Sequence, residues 1–293
     1  MESRRHVLRF SLVFLILIIC LAAFVVKLVL IQTFRSDHLT DLAAKQHRYL
    51  VELEPVRGTI YDRKMRPIAF NVSVYSLFAS PRMMSEADKQ SALEHLSEIL
   101  GANRDSIAAN LDKDKYFVWI KRKLPQEAAE KIQQLKLKGL GFRKESKRFY
   151  PGAALAAHVL GFADIDNNGL EGLELYYNKE LKGKPGWMRV MRDARQTELL
   201  LDNNFLPARD GLNLVLTIDE TIQYIAERAL AQAVEKYNAQ AATIIVMDTR
   251  TGAILALANQ PTYDLEHYSA SGAQSRTNRA LSYVYEPGSV FKV

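Results

Sequence analysis

The chain has 293 residues, 48% of them apolar and 25% charged, with a net charge of +6. At roughly 100 to 200 residues per domain this length suggests about two domains, and the composition excludes a wholly disordered polymer. The basic residues are scattered and no nucleic-acid motif accompanies them, so the charge suits an anionic surface such as membrane headgroups better than a nucleic-acid partner.

Phe10 to Val26 carries no charged residue, and after Lys27 the apolar character resumes to Ile31. At 1.5 Å per residue, residues 10–31 span about 33 Å, enough for a hydrocarbon core of about 30 Å. The run therefore reads as one transmembrane helix. A cleaved signal has an apolar core of only about 7 to 15 residues ending in small side chains. Here the run is longer and ends in Val26-Lys-Leu-Val-Leu30, and Lys27 can extend its amine to the interface. Arg4, Arg5 and Arg9 mark the cytoplasmic side, so residues 1–9 are expected to form a cytoplasmic tail and the chain beyond about residue 32 to be exported. The single cysteine, Cys20, sits within the apolar run, which leaves the exported part without a disulfide. The histidines are dispersed with no metal-ligand spacing, so no metal site is expected.

Gln46 to Ile68 looks extended, and Val72 to Ala79 alternates as a strand. Ser85 with Asp88 resembles a capping box for a helix that Gly101 ends, and a second helix is expected over Arg104 to Leu111. Tyr116 to Ile120 reads as a strand, and Pro125 opens an amphipathic helix closed by Gly139. Asp164 and Asp166, beside Asn167 and Asn168, read as a turn because the closing pattern of a calcium loop is missing. His158 lies on an apolar stretch and reads as a packed structural histidine.

The texture changes at Arg209-Asp-Gly. Leu212 to Ile218 reads as a strand, and Thr217 with Glu220 as a capping box for a helix whose Ile222, Ile225, Ala226, Ala229, Leu230, Ala233 and Val234 share one face. Ala242 to Met247 and Ala253 to Ala258 form a hairpin joined by Asp248-Thr-Arg-Thr-Gly252. A polar loop then leads to Glu286-Pro-Gly-Ser289-Val-Phe-Lys292.

Ser289 and Lys292 have the S-x-x-K spacing. On a helix, positions i and i+3 share a face about 5 to 6 Å apart at Cβ, so the amine can reach the hydroxyl and relieve it of its proton. By itself such a pair arises by chance in a chain this long, and an exposed serine beside a solvated lysine is its plain reading. Arg57, Asp62 and Arg63 taken singly likewise read as turn and surface charges.

Together the motifs say more. Arg57-Gly-Thr-Ile-Tyr-Asp-Arg63, Arg148-Phe-Tyr-Pro, Ala157-His-Val-Leu-Gly, Gly169-Leu-Glu-Gly-Leu-Glu174, Leu216-Thr-Ile-Asp with Ile222-Gln, and Glu286-Pro-Gly-Ser-Val-Phe-Lys292 resemble, in order, the motifs of class B penicillin-binding proteins. The resemblance implies an α+β chain: a single N-terminal transmembrane helix (10–31), an elongated non-catalytic α+β pedestal of dimerisation type (32–210), and the beginning of a penicillin-binding, serine β-lactamase-like transpeptidase domain (211–293). It implies a peptidoglycan D,D-transpeptidase in which Ser289 attacks a stem peptide ending in D-alanyl-D-alanine and Lys292, made neutral by its surroundings, is the base. β-Lactams would acylate the same serine. No cofactor is implied. The implied partners are the membrane, a membrane-embedded glycosyltransferase, and division or elongation proteins. The division-specific type is favoured over the elongation and sporulation types.

The family's S-x-N motif and K-T-G strand are not in this sequence, so the chain is expected to be truncated after the nucleophile and inactive as it stands. The rival readings are a non-catalytic, membrane-tethered pedestal that binds cell-wall synthesis partners, and a β-lactam sensor or class D β-lactamase. The pedestal motifs argue against the latter.

Overall fold

The computed structural model describes residues 14–27, 29, 30, 48–192, 198–284, 286 and 288. Residues 14–27 are helical, with apolar side chains such as Phe14, Leu17 and Leu21 exposed. Among the described residues no helix is long and apolar enough to cross a membrane. The expected span over 10–31 falls partly outside them.

The chain divides into two compact units, Met1–Leu53 with Pro185–Ala208, and Glu54–Lys184 with Arg209–Val293, so the stretch expected as one pedestal contributes to both. In the first unit β1 (Arg48–Leu53) and β7 (Glu198–Leu206) flank β6 (Gly186–Arg192) in an antiparallel three-stranded sheet.

The second unit is organised on β3 (Pro67–Ala79), longer than the expected strand because its start pairs with the short β2 (Ile60–Tyr61). The rest of β3 lies between β4 (Val118–Leu124) and β5 (Leu140–Phe149), both antiparallel to it. The expected strand at Tyr116 is displaced: β4 starts two residues later and takes in Lys121, Arg122 and Lys123, because Leu77 and Tyr75 of β3 supply its partners. Ser85 caps α1 (Glu86–Leu100) through a capping box with Asp88, and Gly101 ends it at φ 54. Helix α2 (Arg104–Leu111) has the expected bounds, and its cap Asn103 accepts from the Asp105 amide. Helix α3 (Gln126–Gln134) follows Pro125 but stops short of Gly139, because Lys136 at φ 47 has already turned the chain out of the helix.

Leu96, Ile107, Leu111 and Ile132 from these helices close over Leu77, Ala79 and Leu124 of the sheet, and each such large side chain contributes about 1.5 to 3 kcal/mol by leaving water. Beyond β5 the chain forms the short helices α4 (Ala157–Leu160), α5 (Gly172–Tyr176) and α6 (Asn178–Lys182). Strand β8 (Leu214–Val215) pairs parallel with β2 and is all that remains of the strand expected over Leu212 to Ile218.

Helix α7 (Glu220–Tyr237) is capped by Asp219, which accepts from the Thr221 and Ile222 amides. The expected Thr217–Glu220 capping box does not form, because the Thr217 hydroxyl donates instead to the Ile254 carbonyl at 2.7 Å. The helix covers one face of the hairpin β9 (Ala242–Met247) and β10 (Ile254–Gln260), burying Ala226 and Leu230 against Ala256 and Ala258. Its buried stripe is rotated from the expected one: Ile225 is 53% exposed while Gln223 is fully buried.

Candidate active-site segment and its supports

Two arginines and one glutamate form a buried charged cluster in the second unit. Arg57, Arg148 and Glu174 are 1%, 4% and 0% exposed, so the surface reading of Arg57 does not hold. Glu174 Oε2 accepts from Arg57 Nε at 2.7 Å and Oε1 from Arg148 Nε at 2.7 Å. Arg57 also donates to the carbonyls of Glu174 and Asn167 and to Asn178 Oδ1, while Arg148 donates to the Gly58 carbonyl and to Asn71 Oδ1. Burial raises the Tyr150 phenol, and the Glu174 charge raises it further. It stays a hydroxyl, donating toward Glu174 and accepting from the Ala163 amide.

Paired charges of this kind compensate their desolvation only while the set is complete. Three separated sequence motifs, those holding Arg57, Arg148 and Glu174, converge here, so the cluster holds the second unit's framework together.

Asp62 is buried as well, and Oδ1 accepts from the Lys64 and Arg66 amides to form a tight turn with Met65 at φ 62. Its other oxygen faces the Glu220 amide at the start of α7. Arg63, by contrast, is exposed as expected. Asp164 accepts from the amides of Asp166 and Asn168, the turn read from the sequence.

The second support lies along α7. Gln223 reproduces a strand edge with its side chain: Nε2 donates to the Leu257 carbonyl and Oε1 accepts from the Leu257 amide, both at 2.8 Å. Glu227, one turn on, accepts from Gln223 and from the Ala156 amide, and burial raises its pKa. A polar residue on the buried helix face, at i, i+3 and i+7 with Ala226 and Leu230, was the sequence signal that could have marked Gln223.

The third support holds the segment that precedes the S-x-x-K motif. His158 is buried, its ring edge-on to Tyr263 at 5.4 Å, and Nε2 donates to the Ser275 carbonyl at 2.8 Å. Burial lowers its pKa, and so does the Arg279 charge, while the hydrogen bond opposes them. It is neutral and structural, as the sequence suggested. Arg276 reaches Glu171 at 3.3 Å and stands over the Phe162 ring. Helices α8 (Ala273–Arg276) and α9 (Arg279–Ser282) are thereby fixed against α4 and the hairpin.

On the side of β9 away from α7, Ile245 and Met247 are about half exposed and a cleft of about 460 Å³ is lined by Ala242, Thr243, Ile245, Arg279 and Tyr283. Ser289 and Lys292 lie outside the described residues.

Comparison with known proteins agrees with this organisation. The penicillin-binding protein dimerisation domain model matches residues 52–216, and the penicillin-binding protein transpeptidase domain model matches 242–293. The chain is 38% identical over 289 residues to a probable peptidoglycan D,D-transpeptidase, PenA, of Neisseria meningitidis, covering 97% of this chain and 49% of that protein. It is 30% identical over 289 residues to the peptidoglycan D,D-transpeptidase FtsI of Escherichia coli, with the same coverages of 97% and 49%. The chain thus spans about half the length of these relatives. Among solved structures, the penicillin-binding protein PBP2 of Helicobacter pylori, in complex with MreC, shares the fold at a TM-score of 0.59 and 23% identity, over 75% of this chain and 44% of that one. Since the first domain model alone covers more than half of the sequence, and the motifs that converge on Glu174 lie within it, the chain belongs to the class B penicillin-binding proteins.

Proposed function

We propose that this chain forms the pedestal and the nucleophile-bearing start of a peptidoglycan D,D-transpeptidase of the division type, with Ser289 as nucleophile and Lys292 as its base. The observation that carries the reading is the succession of α7, the β9–β10 hairpin and the anchored α8–α9 segment ahead of Glu286-Pro-Gly-Ser-Val-Phe-Lys292, all but α7 within the span of the transpeptidase model. The names of PenA and FtsI support the same chemistry.

In this mechanism Lys292, at i+3, accepts the Ser289 proton as Oγ attacks the carbonyl of the penultimate D-alanine of a stem peptide. The peptide bond to the terminal D-alanine breaks, that residue leaves with the proton, and an ester remains on Ser289. An amine from a neighbouring stem then attacks the ester, forms the cross-link and returns the proton to Ser289. A serine at a helix start after Pro-Gly lies beside unpaired amides that stabilise the developing negative charge. The family's S-x-N and K-T-G motifs complete such a site.

The domain division proposed is a cytoplasmic tail (1–9), a membrane anchor (10–31), a pedestal (32–210) and the transpeptidase start (211–293). A periplasm-active reporter fused after Asp210 tests the topology: activity is expected, and activity of a cytoplasm-specific reporter alone at that position overturns it. The proposed protein partners are a membrane-embedded glycosyltransferase and division or elongation proteins, a reading supported by the H. pylori relative's complex with MreC.

The chemistry is tested by acylation with a labelled penicillin in a protein that continues through S-x-N and K-T-G. Ser289→Ala is expected to abolish labelling, and Lys292→Ala to slow it about 100-fold to 10,000-fold. A label found by mass spectrometry on another residue refutes the nucleophile.

A further inference from the structure

The turn that joins β5 to α4 is strained and is held by two contacts from later in the chain. Two of its residues other than glycine take left-handed backbone angles, Ala153 at φ 51 and Ala156 at φ 53. Each is unfavourable because the side-chain Cβ crowds the following carbonyl oxygen. Ala153 is exposed, so side-chain packing does not account for its angle.

The Ala153 carbonyl accepts from the Leu265 amide at 3.2 Å, and the Ala156 amide donates to Glu227 Oε1 of α7 at 2.8 Å. The same carboxylate oxygen accepts from Gln223 Nε2 at 2.7 Å, and Gln223 is bonded to both backbone groups of Leu257. Between the turn and the start of α7 a void of only about 10 Å³ remains, lined among others by Gly152, Leu155, Ala156 and Gln223, so the turn has little room to shift toward the helix. No lysine or arginine is bonded to Glu227 among the described residues, and its two donors are what compensate the loss of water around it.

Ala156 is also the N-cap of α4, with no side-chain cap bond of its own, and its carbonyl accepts from the Val159 and Leu160 amides. The contact at Glu227 therefore sets the start of α4. That helix carries His158, and its Ala157 carbonyl accepts from the Tyr263 hydroxyl at 3.1 Å.

From this geometry we infer that the segment from Tyr150 to Ala156 is a strained joint between the β3–β5 sheet and the layer formed by α7 and its hairpin, and that the Glu227 carboxylate is the clamp that keeps it closed. When the clamp opens, the turn leaves its left-handed angles, and α4 and the Leu265 segment loosen together while the sheet stays folded. The device does not depend on the transpeptidase chemistry.

Native-state hydrogen exchange of single amides in the 293-residue chain tests it, under conditions where closing outpaces exchange. In the parent chain the Ala156, Leu160 and Leu265 amides are expected to exchange through one shared opening, at least about 10-fold faster than the β3 amides and with little dependence on low urea. Glu227→Ala is expected to speed all three about 10-fold to 100-fold, the equivalent of one hydrogen bond to a charged group. Ala153→Gly relieves the backbone at an exposed position and is expected to slow the Leu160 and Leu265 amides about three-fold or more. Ala154→Gly, at the neighbouring residue without a left-handed angle, is expected to speed them instead.

Parent amides at Ala156, Leu160 and Leu265 that open only with β3 overturn the joint. Exchange in Glu227→Ala that is unchanged, or faster at Ala156 alone, overturns the clamp. An Ala153→Gly variant that speeds exchange as Ala154→Gly does overturns the strain on which both rest. Where Glu227→Ala does not fold, Glu227→Gln keeps the acceptor and removes the charge. It is expected to speed the same three amides about three-fold to ten-fold, because bonds to an ionised acceptor are roughly twice as strong as neutral ones, and unchanged rates overturn the inference.

Discussion

Arg57 and Glu174 are 117 residues apart in sequence, yet Arg57 Nε donates to Glu174 Oε2 at 2.7 Å with both side chains out of solvent. Glu174 is the sole carboxylate bonded to both Arg57 and Arg148 among the described residues, so the two guanidinium groups depend on one negative charge.

Glu174→Gln keeps the shape and removes that charge, leaving two buried cations uncompensated. The expected loss is about 3 to 5 kcal/mol of folding stability, the range for breaking a buried ion pair from one side. Urea unfolding followed by circular dichroism checks it, and a loss below about 1 kcal/mol would show that the cluster is not the framework's support.

Gly161 has φ 67, and a Cβ placed there would lie 1.9 Å from the Glu171 carbonyl oxygen, a backbone atom that cannot swing aside. Gly161→Ala is expected to destabilise by about 1 to 3 kcal/mol or more, from overpacking joined to an unfavourable backbone angle. Thermal unfolding of the variant measures this, and an unchanged midpoint contradicts the close approach.

The buried His158 imidazole has its pKa lowered from the ordinary 6.5, first by burial and then by Arg279. The unfolded chain therefore takes up this proton at a higher pH than the native chain does. The stability tied to His158 is complete above pH 6.5 and falls as the pH drops through 6.5 toward the lower native value. His158→Gln is expected to flatten the pH dependence between about pH 7.5 and 5; denaturant midpoints for parent and variant that fall in parallel across that window would exclude this role.

Ile245 and Met247 leave one face of β9 about half exposed, and the strand has β10 as its single hydrogen-bonded neighbour among the described residues. In the 293-residue chain the β9 amides are expected to exchange with deuterium faster than those of β3, which has a partner strand on either side. Equal protection of the two strands would show that β9 is covered in this chain.

Much of the fold was legible where its cause is local. The Ser85–Asp88 box, the bounds of α2 and the limits of β9 all follow from capping chemistry and apolar runs within a few residues. The pedestal motifs were likewise readable in their order, while the Ser289–Lys292 pair, proposed from spacing and its sequence neighbours, lies outside the described residues. Strand β5 was not legible, because Arg143-Lys-Glu-Ser-Lys-Arg148 has no apolar alternation. It is a strand because β3 pairs along its whole length and Arg122 neutralises Glu145 across the sheet at 2.7 Å.

The same division explains the site. Sequence by itself determined the motif residues and the helices and strands that local contacts specify. Tertiary structure decided which polar groups are buried. Thr217 gave up a capping role for the Ile254 carbonyl, Gln223 turned inward to complete the edge of β10, and Asn259 supplied a helix amide that the cap residue Asn278 left free. In each case a hydrogen-bonding group left water because a partner distant in sequence was fixed at about 3 Å, and such a partner exists only once the chain has folded.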